Sequence, residues 1–145
     1  MPEQLTGVVR AFLRGPNPAV MATVARDGRP VAVATWYALE PDDRVLLNLD
    51  AGRVRLRHLR RDPRIALDVI DSSQWYDHVS LQIVVDRLDD DHRLTDIDRL
   101  ATHYTGRRYH NRERDRVSVR ARIVTWMAWG SLAGEAPGEP GEPAG

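Results

Sequence analysis

The strongest indication of the fold is a pair of apolar segments joined by a tight turn, which together read AVMATVARDGRPVAVATWYAL over residues 19–39. The segments, residues 19–25 and 31–39, are rich in Val, Ala and Thr, and the β-branched Val and Thr among them favour strands. Between them, Asp27-Gly28 predicts a β-hairpin in which both central turn residues take positive φ. The sheet is therefore predicted to begin with two antiparallel strands.

The pattern of apolar residues outside this hairpin predicts a mainly β (α+β) protein. Alternation at every second residue indicates strands, and apolar residues spaced three and four apart indicate helices. The predicted strands are residues 19–25, 31–39, 44–50, 65–70, 79–87 and 117–129, and the predicted helices are residues 3–13, 52–62 and 94–104. Short turns between the first strands and an alternating last strand predict a six-stranded antiparallel split β-barrel with three flanking helices.

The length and the composition limit the domain organisation. A chain of 145 residues is predicted to form one domain, which we place at residues 1–132. Residues 133–145 contain seven Gly or Pro and three Glu, so they are predicted to be a disordered tail.

Charge and cysteine content exclude several classes of function. The 21 Arg balance 21 Asp and Glu, with no Lys, so there is no net charge to attract nucleic acid or an anionic membrane. The absence of Cys excludes disulfides, Cys-ligated zinc and thiol catalysis. No apolar run is long enough to cross a membrane, and the first residues lack the features of a signal peptide, so a cytoplasmic protein is expected.

A cluster of arginines at the second predicted helix is the main candidate binding site. Its members are Arg53, Arg55, Arg57, Arg60, Arg61 and Arg64. Arg suits bidentate binding of phosphate or carboxylate, and the start of a helix adds unpaired N–H groups. An anion there would meet donors from backbone and side chains together. The alternative is a solvated helix face neutralised by the acidic residues 86–98.

Other candidate groups are better explained without a catalytic role. The basic run at residues 107–122 has only Tyr104 and Tyr109 as nearby aromatics and no nucleic-acid motif, which favours a solvated surface. The five His lack metal-ligand spacing, and His92, beside Asp89-Asp90-Asp91, is more simply part of a helix cap, so no metal site is predicted. No nucleophile elbow or catalytic triad occurs.

Taken in order, the motifs resemble the pyridoxamine 5'-phosphate oxidase-like split-barrel superfamily. They are the hairpin VMATVARDGRP (residues 20–30), Thr35-Trp36-Tyr37, Leu47-Asn48-Leu49 and the run RVRLRHLRRDPR (residues 53–64). The nearest likeness within the superfamily is the group of oxidoreductases that use the deazaflavin coenzyme F420. The resemblance covers roughly residues 3–130.

The resemblance implies a homodimer with a flavin or deazaflavin in a groove between two barrels. It implies that Arg53 and Arg55 hold the cofactor phosphate, in agreement with the charge argument. The cofactor-binding residues expected on this basis are Thr35, Trp36, Tyr37, Asn48, Arg53, Arg55 and Arg57. No catalytic side chain is expected, because the cofactor itself carries the hydride chemistry.

Three functions follow as hypotheses from this resemblance. The first is an F420-dependent oxidoreductase that passes a hydride to an unsaturated or conjugated organic acceptor. The second is an oxidase or reductase of the same fold with FMN as the cofactor. The surplus of Arg favours the deazaflavin over FMN, because the tail of the deazaflavin is negatively charged. The third is a non-catalytic protein that binds a flavin-type cofactor. A nucleic-acid-binding barrel ranks last because the net charge is zero.

Overall fold

The computed structural model describes residues 4–134, which form three α-helices, seven β-strands and a short 3-10 helix. The elements are α1 (Gly7–Leu13), β1 (Ala19–Val24), β2 (Pro30–Thr35), β3 (Ala38–Leu39), β4 (Val45–Asp50), α2 (Val54–Arg61), β5 (Arg64–Ile70), β6 (His78–Asp90), α3 (Thr95–Thr105), β7 (Arg116–Trp129) and the 3-10 helix (Gly130–Ala133). The tail predicted at residues 133–145 lies outside the described residues, apart from its first two. Within residues 4–134, no helix has both the length and the apolar character needed to cross a membrane.

All seven strands belong to one antiparallel sheet, whose spatial order is β2-β1-β5-β6-β7-β4-β3. Strands lie about 4.8 Å apart, so a flat sheet of seven would separate its edges by roughly 29 Å. The edge strands β2 and β3 are joined by Trp36 and Tyr37 alone. This link spans at most about 11 Å. The sheet must therefore curl until its two edges meet, which gives the split barrel that the sequence predicts.

The predicted count of six strands is wrong by one, because the segment at residues 31–39 divides into β2 and β3. Its first half pairs with β1, in the register Thr35 opposite Ala19, and its second half pairs with β4, in the register Ala38 opposite Leu46. The segment thus leaves one sheet edge and joins the other. Continuous apolar character cannot reveal such a change of partner.

The predicted hairpin is confirmed, but the turn conformation is not. Only Gly28 takes positive φ, at +89°, and Asp27 does not. The N–H of Gly28 donates to Ala25 O at 2.9 Å, and the N–H of Ala25 donates to Arg29 O at 2.8 Å. The connection is therefore a β-turn followed by one left-handed glycine, the arrangement of the longer hairpin loops.

Two predicted boundaries shift for identifiable reasons. Helix α1 begins at Gly7 rather than at residue 3, because Thr6 is extended and its Oγ1 accepts from Val9 N at 3.3 Å as an N-cap. Strand β6 continues through Asp89 and Asp90, which pair with β7. Of the three consecutive aspartates, only Asp91 caps α3, accepting from Ile97 N at 2.9 Å.

One polar group lies on the partly exposed outer face of the barrel without a partner. Asp68 in β5 is paired with Val20 of β1 and Ser80 of β6. Its Oδ1 is buried and accepts no hydrogen bond from any described residue. Burial raises the pKa of this carboxyl above its usual value, and the charge of His78 lowers it to a smaller extent. Relative to the unfolded chain, folding therefore shifts Asp68 toward its protonated form.

The pKa shift of Asp68 predicts the sign of a pH-dependent stability change. Because its folded pKa is raised, its stabilising contribution is complete below the unfolded pKa of about 3.9 and is lost as the pH rises through the folded pKa. Asp68→Asn should therefore raise the melting temperature at pH 7, by roughly 1–3 °C for about 0.5–1 kcal/mol. Thermal denaturation at pH 3.5 should show a smaller gain.

Asp62→Asn is the matched control, because its carboxyl is shifted in the opposite direction. Hydrogen bonds from Arg64 lower the pKa of Asp62 to about 2. Its neutralisation should therefore lower the melting temperature at pH 7. A lower melting temperature for Asp68→Asn at pH 7 would contradict the desolvation argument.

Candidate functional site

A cavity of about 570 Å³ opens where the barrel edges meet, between the end of β2, the start of α2 and α3. Its volume lies within the range of small-molecule and cofactor sites. Part of the lining is apolar and comes from Pro16, Pro18, Ala19 and Ala34. The other lining residues are the apolar Ile97 and Leu100, the polar Thr35, Asn48 and Ser72, the aromatic Trp36, Tyr104 and Tyr109, and the cationic Arg55 and Arg116. None of the described lining residues is Asp, Glu or His. The cavity thus offers shape, aromatic surface and positive charge but no carboxylate or imidazole for general acid–base catalysis.

One wall of the cavity is a set of aromatic rings. Trp36, in the link between the sheet edges, stacks on Tyr104 of α3 with the centroids 5.4 Å apart and the planes 16° apart. Tyr109 meets Trp36 edge-on at 6.4 Å. The hydroxyl of Tyr104 donates to Asn17 O at 2.7 Å, and burial raises the pKa of this phenol to about 12. The wall is therefore held in place and can flank a planar ring.

Arg55, in the first turn of α2, supplies positive charge to the cavity. Its guanidinium is half-buried and lies 3.6 Å from Met21 Sδ in β1, and no carboxylate of a described residue lies within ion-pair distance. Burial, followed by the charges of Arg53 and Arg116, lowers the pKa of Arg55. Since an unpaired, partly desolvated cation is unfavourable, a bound anion would relieve this arrangement.

The start of α2 adds to this anion site. The N-cap is Arg53, whose side chain makes no capping hydrogen bond. The N–H groups of a helical first turn need acceptors from outside the helix, and the helix dipole favours a negative charge there. Arg55 is the residue of this first turn that lines the cavity.

Asn48 in β4 lines the cavity and belongs to a buried polar network. Its Nδ2 donates to Asp91 Oδ2 at 3.1 Å and to Ser118 Oγ at 3.2 Å, and its Oδ1 accepts from Arg116 Nε at 2.9 Å. Ser118 in turn donates to Asp96 Oδ2 at 2.6 Å. Because both ends of its amide are occupied, Asn48 positions Arg116 and the start of α3 and has little capacity left for a ligand.

The structure brings four of the seven predicted cofactor residues to the cavity, namely Thr35, Trp36, Asn48 and Arg55. Tyr37 is not among the lining residues, because its side chain is fully buried in the core. The Tyr37 hydroxyl donates to Leu13 O at 2.8 Å and accepts from Asn17 Nδ2 at 3.1 Å, and burial raises the pKa of this phenol. Tyr37 therefore anchors the end of α1 rather than facing the cavity.

The other two predicted arginines lie away from the cavity lining. Arg53 is exposed at the N-cap of α2. Arg57 points into a separate groove between α2 and the β1–β2 hairpin, together with Arg26, Arg29 and Arg61. The predicted binding of the cofactor phosphate by Arg53, and of the cofactor by Arg57, stays a prediction.

Three lining residues with aromatic or cationic side chains were not predicted as site residues, namely Tyr104, Tyr109 and Arg116. Tyr104 fits the apolar stripe of α3, and Arg116 is one of seven arginines in a run interpreted as surface. The sequence feature that could have indicated these residues is the presence of the two tyrosines beside that basic run. Among residues 4–134 no group of three or more metal-ligating side chains occurs, and His92 is exposed near Asp90.

Comparisons with known proteins agree with this architecture. The family described as pyridoxamine 5'-phosphate oxidase matches residues 5–130. No curated protein matches the chain.

Solved structures show the same fold at low sequence identity. A structure named F420 reductase is 23% identical, with a TM-score of 0.75 over 87% of this chain and 98% of that chain. A conserved hypothetical protein from Mycobacterium tuberculosis is 22% identical, with a TM-score of 0.71 over 96% of this chain and 92% of that one. A putative pyridoxamine 5'-phosphate oxidase from Listeria innocua is 12% identical, with a TM-score of 0.61 over 81% and 92%. The motif order, the curled sheet and the match over most of the chain agree, and the chain belongs to the pyridoxamine 5'-phosphate oxidase family.

Proposed function

We propose that this chain is an oxidoreductase that binds coenzyme F420 in the cavity and passes a hydride to an unsaturated or conjugated organic acceptor. The observation that carries the proposal is Arg55, a half-buried guanidinium without a carboxylate partner among the described residues, at the foot of an aromatic wall. A planar ring linked to a phosphate has the chemistry that this combination accepts. The name of the F420 reductase structure gives independent support for the deazaflavin.

In this proposal the protein binds and orients the cofactor. The deazaflavin, when bound, supplies the hydride chemistry. Arg55 and the first turn of α2 would hold the phosphate, and Trp36 with Tyr104 would flank the ring. Because the cavity lining contains no carboxylate or imidazole, the side chains act by positioning and by excluding water.

We further propose that the active form is a homodimer. Edge strand β2 exposes Ala32, Val33 and Ala34, and β7 exposes Val124 and Met127. An exposed apolar edge invites pairing unless another surface covers it. A second copy of the chain would cover it, and sedimentation should then give twice the chain mass of 16.4 kDa.

FMN is the second candidate cofactor, since a partly buried arginine without a carboxylate partner among the described residues, beside an aromatic wall, also suits a flavin phosphate. A fluorescence titration of the purified protein with F420 and with FMN in parallel separates the two. Tight, saturable binding of F420 alone is expected. A preference for FMN would transfer the proposal to the flavin, and binding of neither would overturn both.

The cavity lining has no side chain whose presence would distinguish an enzyme from a protein that only binds the cofactor. A turnover assay is therefore needed to separate these two functions. The protein should oxidise reduced F420 when a conjugated acceptor is added. Tight binding without turnover of any acceptor in a broad screen would favour the non-catalytic alternative.

A further inference from the structure

Arg116 is a second cationic group of the cavity that the proposed phosphate site leaves unused. Its Nε donates to Asn48 Oδ1 at 2.9 Å and its Nη2 to Asn48 O at 3.2 Å. Its Nη1 lies 3.4 Å from the hydroxyl of Tyr109, with the guanidinium carbon 4.9 Å from the centroid of that ring. Three of the five guanidinium N–H groups thus have acceptors among the described residues, and one N–H remains on each terminal nitrogen.

Arg116 and Arg55 share a distinction among the arginines of residues 4–134. Both are partly buried, and neither has a carboxylate within ion-pair distance, whereas the other partly buried arginines, Arg10 and Arg120, pair with Asp43 and Asp96. An unpaired cation on the surface is solvated, but one that is partly desolvated calls for an anion. The structure therefore holds two positions that suit a negative group.

The two guanidiniums are held by different walls of the cavity. Arg55 contacts Met21 of β1, whereas Arg116 is fixed to Asn48 of β4 and lies against Tyr109. The charge of Arg116 also lowers the pKa of Arg55, so the two cations disfavour each other. Two anionic groups, one at each wall, would neutralise both cations.

We propose that Arg116 binds the carboxylate of the acceptor substrate, so that the acceptor is a conjugated organic acid. The inference rests on the proposed function, which assigns Arg55 to the cofactor phosphate and leaves Arg116 for the second ligand. The remaining N–H groups on the two terminal nitrogens match the two oxygens of a carboxylate. The aromatic wall beside Arg116 offers a flat surface to the adjoining conjugated system.

The test compares an acid with its neutral amide on the same cofactor-free protein. Calorimetric titration should show that trans-cinnamate binds the wild-type protein at least about tenfold more tightly than cinnamamide, as expected when a charge-assisted pair is lost. In Arg116→Gln this preference should fall to within about threefold. Arg116→Lys keeps the charge without the fork, so it should retain an intermediate preference and also serves if Arg116→Gln fails to fold.

Arg55→Gln provides the contrasting variant. It should keep the preference for cinnamate while losing affinity for inorganic phosphate. Arg116→Gln should instead keep the affinity for inorganic phosphate and lose the preference for cinnamate. Loss of phosphate affinity in both variants would mean that the arginines share one anion, which would overturn the inference. Equal affinity of the wild-type protein for the two probes, or no saturable binding of cinnamate, would also overturn it.

These outcomes are separate from failure of the proposed function. If the wild-type protein binds neither F420 nor FMN but keeps an Arg116-dependent preference for cinnamate, the cofactor proposal fails and the acid site stands. If the wild-type protein binds F420 but does not discriminate between cinnamate and its amide, the cofactor proposal stands and the proposal that Arg116 binds a carboxylate fails.

Discussion

Arg55→Gln is expected to weaken the binding of F420 by about 10- to 100-fold, since a hydrogen bond to a charged group contributes about 1.5–3 kcal/mol. The guanidinium is half-buried and has no carboxylate partner among residues 4–134, so a phosphate bound there would be its main counterion. Fluorescence titration of wild type and variant at one ionic strength measures the change. Rising salt should reduce the affinity of the wild type more than that of the variant.

Arg60→Gln is the matched control for this experiment. Arg60 lies on the same helix and its substitution removes the same charge, but its side chain is exposed and outside the lining of the cavity. Its substitution should change the affinity by less than about threefold, the scale of a screened surface charge. Equal losses in both variants would indicate a general effect of the basic helix and would remove Arg55 from the site. Arg53→Gln then tests the sequence-based prediction that Arg53, the N-cap residue of α2, also binds the cofactor phosphate.

Gly130→Ala is expected to destabilise the fold by about 2–4 kcal/mol and to lower the melting temperature by roughly 5–12 °C. Gly130 has a φ of +67°, and a Cβ on it would overlap Asp77 Oδ1. That carboxylate fixes the start of the 3-10 helix, accepting from Ser131 N at 2.9 Å and from Ser131 Oγ at 2.5 Å. The methyl group would therefore add strain to the backbone and displace both hydrogen bonds.

Gly106→Ala separates these two effects. Gly106 caps α3 with a φ of +79°, but nothing lies within 4 Å of the position that an added methyl group would take. Only the cost of the left-handed conformation remains, so a loss of about 1–2 kcal/mol is expected. Thermal and denaturant unfolding of the two variants should differ accordingly. Equal losses would mean that the Asp77 contacts contribute little to stability.

Local signals predicted most of the fold, and long-range pairing explains the remainder. The Asp27-Gly28 turn, the alternation in β7 and the left-handed Gly106 at the end of α3 depend on neighbouring residues, so they can be recognised in the sequence. The division between β2 and β3 depends on which sheet edge each half meets after the barrel has curled. That information is carried by β1 and β4 and not by the divided segment itself.

The residues of the candidate site also fall into two groups, those that could be predicted from the sequence and those whose position depends on long-range packing. Arg55 could be predicted because an arginine cluster at a helix start has a recognised use, and Trp36 and Asn48 followed from the family resemblance. Tyr104 and Arg116 could not, because their position depends on α3 and β7 packing against the link between the sheet edges. Tyr37 shows the opposite case, in which a residue adjacent to the site in sequence turns into the core.

The position of β7 in the sheet has a consequence for the order in which the chain folds. The pairs β1–β2, β3–β4 and β5–β6 are joined by short connections and can form locally. In contrast, β4 pairs with β7 from Val45 opposite Ala121 to Asp50 opposite Arg116, partners 66 to 76 residues apart. Such distant pairing slows two-state folding to about milliseconds to seconds. During synthesis, β4 and β6 therefore keep open edges until β7 has been made, and in that interval the nascent chain is most exposed to aggregation.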